Sequence, residues 1–515
     1  MANSIAEQDI NQATVGIIGA GVAGSTIALR LAEQGIKTLL IEQGDGLVNG
    51  PPMCHLHAGG NLYREISDEQ CIKLLNQSIN TLRIYPHCVN QRPTVIAVPT
   101  QDPGEPSDLM PRLHLLRDEY KRIVAQDPRN QLLGEPDQYF TLYQFEDMQR
   151  LAQLATPEYP SANDDWMIPI AKQVDLTQLK YPLVLVQEYG LSSLRIAATA
   201  TLSLAKLGQA QVLTQTKVLS VSQHQQGWQI ETQDQQGQQT HQVDFLVNAC
   251  GFRTGQVDDM AKFKRQRIVE FKAAYIARWQ TPNAVWPEVI FHGQRGTPKG
   301  MAQLTPYCDG HFQLHGMTKN ITLFKDGLVQ SDDTSSQPKL PNALVNKIVN
   351  HWPQDVLVSR TEQAIEHLSQ FIPSFSQAEF GGKPLFGAQQ IPGDDADLRA
   401  AAVSFEQHNY ARAEIVKASS ALTAADQILE KLVQLKLANL KLEGTRETQF
   451  PITLQLGMTE ITQLATELAV HRNYPAALAL PYHATSSRDK AAVTQQKTSA
   501  KPLVSRAEIE VATAS

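Results

Sequence analysis

The sequence predicts an α/β fold: a parallel-sheet unit, split along the chain, with a second, mostly antiparallel α+β unit set into it. Three observations lead there. Residues 14–43 run strand, glycine-rich turn, helix, strand. Residues 190–251 return to the same grammar, as a helix at 191–207, strands near 211–221, 227–232 and 242–248, then Val247-Asn248-Ala249-Cys250-Gly251. Between and beyond these, 267–279, 288–292, 303, 312–315 and 321–324 read as half-buried strands of a separate sheet. The chain has 515 residues, 42% hydrophobic and 19% charged, enough for a large core and incompatible with a wholly disordered chain.

In the first motif each residue has a physical role. Val15, Ile17 and Ile18 form a buried strand, and Gly19, Gly21 and Gly24 make a GxGxxG turn. Gly19 permits the tight turn, Gly21 leaves room for a pyrophosphate against the backbone, and Gly24 lets helix pack on strand. The helix start, with Val22 and Ala23, offers free N–H groups and a partial positive charge to phosphates. Glu42, 18 residues after Gly24 and followed by Gln43, closes the next strand, where a carboxylate accepts ribose hydroxyls and repels a ribose phosphate. This Rossmann-like pattern calls for a dinucleotide and leaves NAD and FAD both open.

Further along, 67–85 and 109–125 have helical spacing, 94–98 and 183–187 read as strands, and 102–164 as an insertion or cap. A helix is expected over 411–435. The end, 484–515, is rich in Ser, Thr, Ala and Lys and is expected to be a disordered tail. The net charge of −7 argues against nucleic acid as principal partner. Cys54, Cys71, Cys88, Cys250 and Cys308 show neither metal spacing nor a disulfide framework, so no metal is expected. With no apolar signal core and no run long enough to span a bilayer, the expectation is a cytoplasmic protein, peripheral membrane contact being left open.

The early Rossmann motif, Thr216-Lys217-Val218 on a late strand and the VNACG segment together resemble the D-amino-acid-oxidase superfamily of FAD enzymes. The resemblance implies that Ala249 and Gly251 are small where the chain passes close to the cofactor, and that Val218 lies beside adenine. His57-Ala58-Gly59-Gly60 resembles a stretch of L-2-hydroxyglutarate dehydrogenase-like proteins and one of dimethylglycine dehydrogenase-like proteins. Residues 300–316 resemble a segment of the first group, with Gln303 where that group has His. Residues 417–428 are similar to a helix start that, in the family, faces the flavin pyrimidine, which brings in Ser420, Ala421, Leu422 and Thr423. Gly59 and Gly60 join the expected cofactor contacts on the same ground.

The function this implies is an FAD-dependent oxidoreductase passing hydride from a small carboxylate, a 2-hydroxy acid or an amino acid, to flavin. A flavin-binding protein without catalysis and an NAD-dependent dehydrogenase are the alternatives. His57 is either a proton acceptor, a flavin tether or a loop histidine satisfied by carbonyls; His55 stands on the same footing, and His315 is a second candidate base. Arg278 and Arg295 are candidates for a carboxylate clamp. Arg253, Lys262, Lys264, Arg265 and Arg267 are expected to form a solvated basic face. The FAD domain is expected over 13–95, 188–256 and 375–435, the substrate domain over 96–187 and 257–374, with an extension at 436–483. The electron acceptor, whether oxygen, a quinone or a protein, is left open.

Overall fold

The computed structural model describes residues 13–52, 55–60, 66–280, 284–350, 352–440 and 443–482; the tail expected at 484–515 lies outside them. One sheet has the strand order Val403–Glu406, Tyr410–Ala413, Phe245–Asn248, Thr14–Ile18, Lys37–Ile41, Ala210–Leu213. Its last five strands are mutually parallel and only the first pairs antiparallel. The glycine turn leads from Thr14–Ile18 into the helix Val22–Ala32, almost wholly buried against the helix Ala421–Gln434. A strand feeding a helix that packs back on the sheet leaves a crevice at the carboxyl ends of Thr14–Ile18 and Phe245–Asn248.

Among the described residues a second sheet has nine strands. It runs Leu328–Gln330, Arg267–Arg278, His311–Gly316, Ala302–Pro306, Glu288–Phe291, Thr94–Pro99, Leu179–Val186, Phe140–Tyr143, and Glu379–Pro392 pairs with Arg267–Arg278. It is antiparallel apart from the pair Glu288–Phe291 and Thr94–Pro99. One face is apolar throughout: Ala273, Tyr275, Leu304, Leu314, Val289, Phe291, Val95 and Leu185 pack with the helices of 145–173 and 354–369.

The structure corrects several boundaries. Thr94–Pro99 and Glu379–Pro392 pair within the second sheet, whose neighbouring strands satisfy their backbone groups. The segment 321–324 is a turn, with Thr322 N–H donating to the Gly316 carbonyl and Leu323 N–H to that of Thr318. The expected helix at 411 begins only at Ala421, because Tyr410–Ala413 pairs with Leu246–Asn248. The 211–221 strand is two, Ala210–Leu213 in the parallel sheet and Lys217–His224 in a three-stranded meander. Likewise 242–248 divides between that meander, through Gly237–Val243, and the parallel sheet.

The basic stretch is a solvated face only in part: Lys262 and Lys264 are exposed and Arg253 and Arg265 half-buried, but Arg267 is not at the surface. Arg267 and Arg412 are fully buried on Asp258, whose carboxylate accepts from Arg267 Nη2 at 2.5 Å, Arg412 Nε at 2.6 Å and the Tyr410 hydroxyl at 2.8 Å. Arg265 reaches Glu414 at 2.9 Å. This network ties the two sheets together below the crevice. The extension contributes the helix Met458–His471, whose Ile461, Ala465 and Ala469 pack with Leu194, Ala198, Ala274 and Ile276.

Candidate active site

The three glycines of the turn do different work. A Cβ on Gly24 would fall 1.8 Å from the Gly19 carbonyl oxygen. Gly19 has φ of +94°, and a Cβ there would meet the Ala249 carbonyl at 2.6 Å. Gly21 has an ordinary φ of −66°, and a Cβ there would meet nothing within 4 Å. Packing therefore explains Gly19 and Gly24, whereas the space at Gly21 opens on the crevice where a pyrophosphate would lie. Glu42 holds its carboxylate at the same mouth, Oε2 accepting from Ala20 N–H and Oε1 from Gly44 N–H, each at 2.8 Å, with further lone pairs available to ribose hydroxyls. Ala249 is buried beside the turn, Gly251 has φ of +54° with open space around it, and Val218 packs on the cluster that includes Ile41 and Val221. Gln43 is exposed. Ser420 donates to Gln77 at 2.7 Å and, with Ala421, Leu422 and Thr423, opens the helix Ala421–Gln434. The residues present fit a dinucleotide.

From Glu42 the chain runs over the second sheet. A Cβ on Gly387, directly opposite Lys272, would sit 3.4 Å from Pro51, and the Tyr307 hydroxyl lies 3.2 Å from the Pro52 carbonyl oxygen. His55 follows, then His57 with a left-handed φ of +58° and Gly59 with φ of +106°. Gly60 N–H donates to Glu188, and a Cβ there would lie 3.0 Å from Val186. This loop covers the second face of the sheet, where the strand alternation and the registers Gln303↔His315 and Ile276↔Gln313 bring together Glu270, Lys272, Gln313, His315, Gln303 and Glu288. Elsewhere on this face Ala274 and Ile276 pack under the helix Met458–His471, so the polar cluster is a patch within it, and buried polar groups gathered under a loop have a reason to meet a ligand.

The electrostatics of this chamber are cationic. Lys272 pairs with Glu270 at 2.6 Å, and Arg295 pairs with the same carboxylate. Lys417 lies next to Val416, whose carbonyl accepts from Gln389, the cross-strand neighbour of Glu270. Burial, then Arg399 and Lys272, hold the Lys417 amine well below the ordinary lysine value; burial also lowers Lys272. Burial is the first cause keeping both His57 and His315 neutral, followed by Lys417 for His57 and His55 for His315. Their Nδ1 atoms are shut off from solvent with no protein partner among the described residues. Glu288, though buried, is kept ionised by His55 and Arg92.

The structure thus brings His57, His315 and Arg295 together and leaves Arg278 apart. Arg278 is exposed at the far end of its strand, opposite His311. Glu288, Lys272 and Lys417 do not stand out in the sequence as site residues. A signal for Lys272 is nonetheless present there: in Arg267–Arg278 the charges Glu270 and Lys272 alternate in phase within an otherwise apolar strand. No metal-binding cluster of His, Cys, Asp and Glu occurs among the described residues.

Comparison with solved structures returns the same fold. Glycine oxidase from Geobacillus kaustophilus aligns with a TM-score of 0.51 at 14% identity, over 86% of this chain and 100% of its own. L-amino acid deaminase from Proteus vulgaris gives 0.54 at 15%, over 86% and 96%. The enzyme of that name from Proteus myxofaciens, in complex with anthranilate, gives 0.53 at 14%, over 82% and 90%. No curated protein matches the sequence. The family model described as DAO, FAD dependent oxidoreductase, matches residues 14–394. That match decides between the two dinucleotides the glycine motif left open: the chain belongs to the DAO family of FAD-dependent oxidoreductases.

Proposed function

We propose that this oxidoreductase acts on a small carboxylate, a 2-hydroxy acid or an amino acid. The observation that carries the reading is the cluster of charged and amide side chains on the second sheet, roofed by residues 55–60, where His55 meets Gln303 and Gln313. FAD, when bound, supplies the hydride acceptor. Gly19, Gly21, Val22, Ala23, Gly24, Glu42 and Gln43 would hold its adenosine diphosphate end. Gly59, Gly60, Val218, Ala249, Gly251 and residues 420–423 would border it elsewhere.

In this reading the half-buried Lys272 and Lys417, with the exposed Arg295 at the edge sharing Glu270 with Lys272, are the cations that would meet a carboxylate, and the two lysines gain most from an anion that shares their low-dielectric surroundings. The imidazoles clustered at 55, 57 and 315 supply a base for the proton leaving the substrate hydroxyl or amine. The motif likeness at 57–60 and 300–316 favours a 2-hydroxy acid. In domain terms the FAD unit comprises about 13–93, 188–256 and 393–435, and the substrate unit what lies between. No helix among the described residues is long and apolar enough to cross a membrane.

The test is anaerobic bleaching of the purified yellow protein against hydroxy acids, amino acids and N-methyl amino acids. A 2-hydroxy or 2-amino acid should bleach it; a panel in which none does would overturn the reading.

A further inference from the structure

Resting on that proposed reaction, the geometry points to His55, held by Glu288, as the group that takes the substrate's proton. Of the three imidazoles in the chamber, His55 is the one with a carboxylate in contact among the described residues: its Nδ1 lies 3.2 Å from Glu288 Oε1. Glu288 is itself fixed, accepting from Arg92 Nη2 at 2.8 Å and Gln303 Nε2 at 2.6 Å. An ionised carboxylate can only accept, so the Nδ1 of His55 carries the hydrogen it shares with Glu288. The other ring nitrogen, Nε2, is 3.0 Å from the amide nitrogen of Gln313, a donor, and is therefore the lone-pair end. Gln313 turns its Oε1 to the Tyr307 hydroxyl at 3.2 Å.

The arrangement sets one tautomer and gives the imidazolium a counter-charge before it forms. His57 and His315 lack both features. Their Nδ1 atoms face no acid among the described residues, and their charged neighbours, Lys417, Lys272, Arg295 and Arg399, oppose a second positive charge. Gln303, on the strand, and His55, on the loop, meet on the one carboxylate of Glu288.

In the step itself the substrate O–H proton moves to His55 Nε2, displacing the Gln313 N–H. FAD, when bound, would supply the acceptor for the C–H hydride, the two electrons and the proton together leaving the carbon–oxygen bond as the carbonyl of a 2-oxo acid. Glu288 keeps its negative charge and acts as a positioning residue. The groups facing His55 are Glu288, Arg92, His57 and His315, with Lys272 and Lys417 beyond.

The experiment has two arms on the FAD-loaded full chain. In the first, flavin reduction by the acid that bleaches it is followed by anaerobic stopped flow. His55→Gly should slow reduction about 100- to 10,000-fold at unchanged FAD content and be partly restored by added imidazole. Glu288→Gln should lower the limiting rate of reduction with little change in the substrate concentration that half-saturates it, because it loosens the imidazole without touching the substrate; Glu288→Asp should restore part of the rate. Imidazole rescue of His57→Ala in place of His55→Gly, or an unchanged limiting rate in Glu288→Gln, would overturn the assignment. The second arm, 15N NMR of labelled histidines assigned through His55→Gly, needs no turnover and stands even where Glu288→Gln does not fold. His55 protonated on Nδ1 and bare on Nε2 supports the pairing; the reverse tautomer refutes it. A wild type that no acid reduces would sink the proposed reaction and leave the pairing to the NMR arm.

Discussion

Gly21→Val separates cofactor binding from folding. The position is the N-cap of Val22–Ala32, with φ of −66° and no protein atom within 4 Å of the place a Cβ would take. Valine therefore meets no protein atom at its Cβ and no backbone strain, and the loss of a favourable cap residue costs the apoprotein about 1 kcal/mol at most. The same branch stands where the pyrophosphate must come against the helix start. Losing two hydrogen bonds to a charged group, at about 1.5–3 kcal/mol each, weakens FAD binding by about 3–6 kcal/mol, a factor of about 100 to 10,000. Gly24→Ala is the control, since its Cβ would lie 1.8 Å from the Gly19 carbonyl oxygen and must disturb the fold itself. The assay pairs FAD content, from absorbance after denaturation, with thermal unfolding of the apoproteins. Gly21→Val should be colourless with a near wild-type apoprotein midpoint, whereas Gly24→Ala should lower the midpoint. A yellow Gly21→Val protein with full FAD content would refute the placing of the pyrophosphate.

Asp258→Ala would remove the carboxylate shared by two fully buried arginines, leaving Arg412 with Glu406 at 2.9 Å and Arg267 with Glu414 at 3.5 Å, and should cost up to about 3–5 kcal/mol in denaturant unfolding. Acidification should destabilise the apoprotein. His57 and His315 have folded pKa values below the usual 6.5, so the unfolded chain binds more protons and stability falls as pH drops below about 6.5. His315→Leu should flatten that fall in a series of thermal midpoints from pH 7.5 to about 5. Deleting 484–515 should leave FAD content and thermal midpoint unchanged, as the segment lacks the apolar surface to offset its ordering entropy; a drop in either would show that it docks.

The nucleotide end of the site was readable in the sequence because it is local. Gly19, Gly21, Gly24 and Glu42 belong to one strand–turn–helix–strand unit, and their roles follow from backbone sterics and the hydrogen bonds of a single turn. The strand Arg267–Arg278 and the helix Asp68–Ile84 were legible for a like reason: their side-chain periods lie within one element. Strand limits near Tyr410 and in the 211–248 region were not, since a short apolar run becomes strand or helix according to the partner it meets.

At the end proposed to react, the sequence offers His55, His57, His315 and Arg295 as candidates, but their grouping with Glu288 depends on tertiary structure. His55 and Glu288 are far apart in the chain, and Arg92, Gln303 and Gln313 come from three further places. Nothing in local spacing says that they share a face. That depends on strand order and on register, where a slip of one residue would turn Gln303, Gln313 and His315 to the apolar side. Motif residues are set by what one turn of chain allows; the chamber is set by which strands pair, and pairing is chosen by the burial of the whole opposite face.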